Sequence, residues 1–363
     1  MLLVLLTGST QGSDWLTARP DYAWSFPEDH WARPGYKTEW WYFTGHLSTD
    51  AGRRLGYQFT FFRVGLLPEK PEWDSEWAAG NLIMGHASVS DLTTGQHVFS
   101  ELVYRAVPLL GGFGSFPDST IAWSRAPTGT GGDWRLRWNG SAFDFHARDD
   151  VKGMALALST APTKPLVFQG PSGYSRKGEG ATSASQYYSF TRLHTAGQVT
   201  LDGEVFDVIG ESWMDKEFGS NQLSDDQVGW DWFSLQLNDS RELMLYLLRS
   251  ESGDVSFARG TLVSESGEAR YLDSDAFEVR STDTWSSDAT GATYPSRWEV
   301  KIPSEGIRLR VVPEMADQEN RSRLVPGLHY WEGAVRAERD DGTEAGRGYV
   351  ELVGYGTTQR LGI

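Results

Sequence analysis

The string GESWMDKEFGS, Gly210 to Ser220, packs Glu211, Asp215, Lys216 and Glu217 into seven residues beside Trp213 and Phe218. A carboxyl group held among aromatic rings is costly to ionise, so its pKa rises and it can hand over a proton near neutral pH. Asp215 and Glu217 are therefore the candidate catalytic residues. If Val205 to Gly210 is the last strand of one domain and Trp230 opens the first strand of the next, the segment lies at a domain seam, where pockets commonly form. A solvated linker whose charges pair with one another is the other reading of the same residues. The sequence leaves both open.

Candidate walls for a pocket come from two strings. In EWWYFTGHL (Glu39 to Leu47) strand alternation puts Trp40, Tyr42, Thr44 and His46 on one face, and Glu39, Trp41, Phe43 and Leu47 on the other. In GWDWFSLQL (Gly229 to Leu237), Trp230, Trp232, Ser234 and Gln236 share the corresponding face. The candidate ligand-binding residues are Glu39, Trp40, Trp41, Tyr42, His46, Trp213, Trp230, Asp231 and Trp232. A chain with 16 tryptophans suits a large apolar or π-rich ligand.

Other chemistries find no support. Gly210-Glu211-Ser212-Trp213-Met214 ends in Met where a nucleophile elbow requires Gly. The histidines at 30, 46, 86, 97, 146, 194 and 329 include no pair at metal-ligand spacing on one element, and no cysteine is present, so neither a metal site nor a cofactor is expected. Gly111 to Gly114 and Gly129 to Gly132 lack the lysine and helix of a phosphate loop and read as hairpin loops. A net charge of −16 repels phosphate backbones and anionic head groups, so nucleic acid is not an expected partner.

The elements that must position these residues show a duplication. Trp40 falls on Trp230, Tyr42 on Trp232, Phe43 on Phe233, Thr44 on Ser234 and Leu47 on Leu237 without a gap. YQFTFFR (Tyr57 to Arg63) then falls on LMLYLLR (Leu243 to Arg249). Each copy predicts a hairpin, turning at Ser48 to Gly52 and at Asn238 to Ser240. Downstream, Trp123, Trp134 and Trp138 are answered by Trp285 and Trp298, and Met154–Pro162 by Ile307–Met315. YYSFTRL (Tyr187 to Leu193) followed by VFDVIGE (Val205 to Glu211) is matched to HYWEGAV (His329 to Val335) followed by YVELVGY (Tyr349 to Tyr355). With 363 residues, 40 glycines and no sustained helical period, the prediction is an all-β protein of two domains. They are expected at 20–220 and 221–363, with one short helix around Glu72 to Ala79. Leu2 to Leu6, running into Thr7-Gly8-Ser9-Thr10, resembles the end of a signal peptide and is too short to span a bilayer. Residues 1–19 are therefore expected to be a leader, and the protein to be secreted or periplasmic with no integral membrane segment.

EWWYFTGHL, then YYSFTR, then GESWMDKEFGS running into GWDWFSLQL, resembles in that order the bacterial AttH-like and carotenoid 1,2-hydratase (hydroxyneurosporene synthase) family, often labelled secreted hydrolases. Fungal pericyclases that bind polyenes are similar to it more distantly. The resemblance runs from Tyr22 to the C-terminus. It implies two lipocalin-like antiparallel β-barrels side by side and an apolar ligand such as a lipid, isoprenoid or polyene. Where the carotenoid hydratases carry an aromatic-Asp-His arrangement, this chain keeps Asp215 but has Lys216 in the histidine's place, followed by Glu217. It therefore resembles the secreted branch more than the carotenoid enzymes. The expected function is binding of a hydrophobic ligand at or near the domain seam. The alternative is a lyase that adds water to a C=C bond of a terpenoid chain by acid catalysis.

Overall fold

A computed structural model describes residues 14–68, 74–180, 182–221, 223–224 and 226–356. The proposed leader lies largely outside the described residues. The first half contains β1 (Thr38–Ser48), β2 (Arg54–Gly65), β3 (Asn81–Asp91), β4 (Gln96–Arg105), β5 (Gly111–Phe113), β6 (Thr120–Arg125), β7 (Asp133–Trp138), β8 (Phe143–Asp149), β9 (Met154–Pro162), β10 (Val167–Phe168), β11 (Tyr174–Arg176), β12 (Ala184–Leu201) and β13 (Glu204–Asn221). The second contains β14 (Gln227–Leu237), β15 (Glu242–Ser250), β16 (Val255–Val263), β17 (Ala269–Leu272), β18 (Glu278–Ser286), β19 (Thr293–Ile302), β20 (Ile307–Pro313), β21 (Glu319–Arg321), β22 (His329–Glu338) and β23 (Glu344–Val353).

The first sheet runs β4-β3-β2-β1-β13-β12-β9-β8-β7-β6-β5, and the second β17-β16-β15-β14-β23-β22-β20-β19-β18. From β4 to β7 and from β17 to β18 the two orders correspond strand for strand; β5 and β6 are extra. Both sheets are antiparallel and curled, one into a nearly closed barrel and the other into a half-barrel, consistent with two lipocalin-like units.

Register carries the correspondence to single residues. Trp40 lies opposite Phe62 and Glu217, and Trp230 opposite Leu248 and Val353. Tyr42 lies opposite Asp215, and Trp232 opposite Glu351. The front of the repeat thus has the predicted alignment, but the back is shifted. Tyr349–Val353 corresponds to Trp213–Glu217 rather than to the stretch from Val205, and Tyr187, opposite Glu217, corresponds to Tyr330, opposite Val353. The cause is length: β13 has 18 residues against 10 in β23. It runs past the stretch equivalent to β23 at both ends, at 204–207 and 218–221.

Three expectations are corrected here. Ser212 to Gly219 is neither a linker nor an acidic turn; it is the interior of β13, bonded to β1 on one side and β12 on the other. The described part of the expected helix, 74–79, consists of turns and bends, with Ala78 N donating to Ser75 O. Gly111–Phe113 is a strand, paired with β6, where a glycine lets the backbone approach closely: a Cβ on Gly111 would lie 2.9 Å from Ile83 Cγ2.

The β1–β2 and β14–β15 hairpins form as predicted. Gly52 takes φ +83° in the first turn, and Ser240 holds φ +64° in the second. Alternation sorts β1 into two environments. Trp41, Phe43 and Leu47 fill the first barrel, while Tyr42 joins Trp213, Trp232, Tyr246 and Tyr349 in a separate cluster between the sheets. Gly56 of β2 sits where the sheets come closest: a Cβ there would be 2.5 Å from Tyr349 Oη and 3.0 Å from Ala334 Cβ.

Candidate functional site

Between the sheets lies a cleft of about 120 Å³. Its aromatic wall is Trp40 and Tyr42 from β1, Tyr187 from β12, Trp230 and Trp232 from β14 and Tyr246 from β15. Phe62, Val64, Leu223 and Leu248 add aliphatic and ring surface, and Asp215, Glu217, Glu351 and Lys177 are the polar groups at its heart. Tyr42 and Trp232, residues at equivalent positions of the repeat, meet edge to face at 5.2 Å across the seam.

Asp215 is 3% exposed and takes three donors: Trp213 Nε1 at 2.7 Å and Ser189 Oγ at 2.5 Å on Oδ1, and Tyr187 Oη at 2.8 Å on Oδ2. Trp232 Nε1 in turn donates to Tyr187 Oη at 3.2 Å, so the second half reaches this carboxyl through a phenol of the first. Among the described residues Asp215 has no cation partner. Burial pushes its pKa up to about 7, the three donors pull it part of the way back, and the neighbouring Glu217 adds to the rise. A carboxyl with a pKa near 7 can exchange a proton under ordinary conditions.

Glu217 differs. Lys177 Nζ lies 2.8 Å from its Oε1, Ser185 Oγ donates to the same oxygen, and the ammonium rests 4.3 Å from the Tyr246 ring centroid and 5.0 Å from that of Tyr187. A cation already occupies this carboxylate, which makes it a fixture of the wall.

The second sheet contributes Glu351. Trp230 Nε1 donates to its Oε2 at 2.8 Å, and among the described residues nothing donates to its Oε1. Burial raises its pKa to about 7, moderated by the Trp230 donor and reinforced by Asp215 and Glu217. Directly across on β22 stands Glu332, fully buried, with Oε1 accepting from Tyr42 Oη at 2.7 Å and Oε2 without a hydrogen-bond partner among the described residues. Burial and the Glu351 carboxyl hold Glu332 well above the usual carboxylate range.

Of the residues named from sequence, Trp40, Tyr42, Asp215, Glu217, Trp230 and Trp232 line the cleft. Glu39 touches its wall, but its carboxylate is turned to Arg63 and Lys216 and also accepts from Arg33 N at 3.0 Å. Trp213 supports Asp215 from behind, 6.2 Å from Trp232 between ring centroids. Three positions do not belong to the cleft. Trp41 alternates into the first barrel, its indole donating to His30 O at 2.7 Å under the Lys216 ammonium. Asp231 alternates into the second half, held by Arg249 at 2.9 Å and Tyr355 at 2.8 Å. His46 shares the face of Tyr42 but lies four residues along the strand, where its Nε2 meets Gly348 O at 2.9 Å near a polar cleft lined by Arg54 and Arg347. Neither Arg63 nor Arg249 pairs with Asp215; each serves a carboxylate on the other face of its own sheet.

Lys177, Tyr187, Tyr246 and Glu351 are site residues that sequence reasoning missed. Glu351 had a usable signal: once the repeat is aligned as the structure aligns it, Asp215 falls on Glu351.

A two-part β fold enclosing an aromatic, acid-bearing cleft is of lipocalin-like construction. The family model described as AttH-like matches residues 17–355, and the chain belongs to that family. It is similar to the crystal structure of an AttH protein from Nitrosomonas europaea, with 33% identity, a TM-score of 0.82 and coverage of 94% of this chain and 99% of that one. It shares its fold with kievitone hydratase from Nectria haematococca, with 16% identity, a TM-score of 0.67 and coverage of 95% and 97%. Among curated proteins it is 24% identical over 256 residues to the dehydratase asqC of Emericella nidulans, spanning 67% of this chain and 70% of that protein.

Proposed function

We propose that this protein is a hydro-lyase that adds water to, or removes it from, a hydrophobic unsaturated small molecule held in the cleft between the two sheets. One observation carries the reading: Asp215 is a buried acid that forms no ion pair among the described residues, poised near neutrality in an aromatic cleft. A ligand carrier needs the aromatic walls but gains nothing from an unpaired buried acid, whose ionised form is costly. Adding water or removing it needs a group that takes up and gives back a proton during the reaction. Trp40, Tyr42, Trp230 and Trp232 present π faces that stabilise positive charge developing on the ligand. The hydratase and dehydratase relatives support the same reaction class.

Protein purified from its native cells is extracted for its retained ligand, and the extract is incubated with fresh protein in ¹⁸O-labelled water. The expected result is product that has gained an ¹⁸O-labelled hydroxyl or lost one water with the wild type, and neither with Asp215→Asn, while tryptophan quenching shows that the extract still binds the variant. An extract that binds and returns unchanged from the wild type overturns the lyase and leaves a carrier. An exported location belongs to this reading on the strength of the Leu2 to Leu6 run. N-terminal sequencing that finds Met1 retained on cytoplasmic protein refutes it.

A further inference from the structure

Resting on the hydro-lyase reading, we propose that the proton chemistry is carried by two carboxyl groups, Glu351 from the second half and Asp215 from the first, acting as one acid and base pair across the seam. The geometry is that of a repeat facing itself. Asp215 lies opposite Tyr42 on β1, and Glu351 opposite Trp232 on β14, the equivalent pair. Each acid accepts one indole N–H, from Trp213 and Trp230 respectively, and both line the same cleft. Neither half alone contains the pair.

Their hydrogen bonds separate the roles. Asp215 takes three donors, an arrangement that favours the carboxylate. Glu351 takes one, keeps Oε1 free of protein donors, and stands opposite the buried Glu332, an arrangement that favours the protonated form. In hydration, Glu351 gives its proton to one alkene carbon as the π pair forms the new C–H bond, and water attacks the other carbon. The attacking water passes its proton to Tyr187 Oη as the Tyr187 hydrogen moves to Asp215 Oδ2. The alkene gains one H and one OH, Glu351 ends ionised and Asp215 protonated, and exchange with solvent resets them. Dehydration runs the same steps backwards.

The ionisable surroundings agree with coupling between the two. Around Asp215 stand Glu217 on its own strand, Tyr42 from β1, Tyr187 from β12, and Lys177 bound to Glu217. Around Glu351 stand Glu332 from β22 and, through the cleft, Asp215 and Glu217. Tyr42 lies opposite Asp215 and donates to Glu332, so it links the strand pair of one acid to the cross-strand neighbour of the other.

Each acid has a built-in reporter, so ionisation can be followed without a substrate. In ¹⁵N-tryptophan-labelled protein, the Nε1 resonance of Trp213 reports Asp215 and that of Trp230 reports Glu351. Both are expected to titrate near neutrality in the unmodified protein, and Glu351→Gln should move the Trp213 curve to lower pH by roughly half a unit or more. A Trp230 resonance that is flat across the neutral range overturns the pairing, as does a Trp213 curve unmoved by Glu351→Gln. The ¹⁸O assay separates the two claims. Loss of label incorporation in both Asp215→Asn and Glu351→Gln, with binding of the extract retained, supports the pair. Loss in Asp215→Asn alone sinks Glu351 and keeps the lyase, and an extract that the wild type returns neither hydrated nor dehydrated sinks the lyase itself.

Discussion

Asp215 and Lys216 are chain neighbours on one strand, both buried, and they live in opposite worlds. Lys216 points into the first barrel, where its ammonium meets the Glu39 carboxylate, lies 3.6 Å from the Trp41 ring centroid, and shares Glu39 with Arg63. Burial lowers the Lys216 pKa to about 8, with Glu39 acting against the fall. Burial alone would raise Glu39, but its two cations outweigh that and hold it below the usual range. Asp215 points into the seam and has hydrogen bonds without a counter-charge. The difference teaches what buried charge is for in this fold: where a carboxylate is answered by a cation, as Glu39 is in the barrel and Glu217 in the cleft, the result is architecture, while Asp215 and Glu351, which have hydrogen bonds but no ion pair among the described residues, are the groups left to react.

The largest expected effect breaks the seam side. Asp215→Asn should lower turnover by about 10²–10⁴-fold while leaving the denaturant midpoint at acidic pH nearly unchanged. A loss of midpoint without a loss of turnover would erase the distinction between the two faces. The barrel side should behave oppositely. Glu39→Leu strands Lys216 and Arg63 in the interior and should cost about 3–5 kcal/mol of stability, read from urea unfolding. A cost under about 1 kcal/mol would mean the ion cluster is not structural.

Stability against pH sharpens the contrast further. Asp215 and Glu351 have folded pKa values raised to about 7, above the unfolded carboxyl range near 4. Their contribution is therefore complete below about pH 4 and is lost as pH rises through about 7, at up to about 1.4 kcal/mol per pH unit for each group. Asp215→Asn should accordingly melt close to the wild type in acid and above it at alkaline pH. Glu39 has the opposite sign, since its contribution is present above the unfolded pKa and is lost as pH falls through its depressed folded value. A wild type and Asp215→Asn pair that melt in parallel at all pH values would show that Asp215 is not neutral in the fold. The smallest effect concerns a single donor. Trp230→Phe removes the indole N–H from Glu351 and should cost about 0.5–1.5 kcal/mol, measurable in the same denaturation assay. No change at all would indicate that water replaces the indole.

The fold was legible where local pattern and repetition agree. Trp40 and Trp230 open strands that alternate cleanly, and their hairpins follow from turn residues close in sequence, so Tyr42 and Trp232 came out on the right face. The acidic string around Asp215 was misread because β13 is buried on both sides: Lys216 finds Glu39 from a strand at the other end of the half, and Glu217 finds Lys177 from a loop. Charges answered by partners so distant in sequence look like a solvated turn when read locally. Glu351 was hidden for another reason. YVELVGY reads as an ordinary strand, and only the register against β14, set by hydrogen bonds rather than by residue type, shows that its single acid faces Asp215's cleft. Trp41 and Asp231 were overcounted because an aromatic or acid on the barrel face has the same composition as one on the seam face, and alternation alone does not say which face is which.

The crossing from one sheet to the other is made by the few residues between Asn221 and Gln227. A tether that short turns the meeting of the two halves into an intramolecular event, with an effective concentration on the order of millimolar or higher. Two separate chains would have to collect that affinity from the interface itself and would be selected for apolar contacts throughout. Covalent linkage relieves the seam of that demand, so this interface can hold acids without an ion-pair partner at less cost to its assembly than a dimer held together by contact alone.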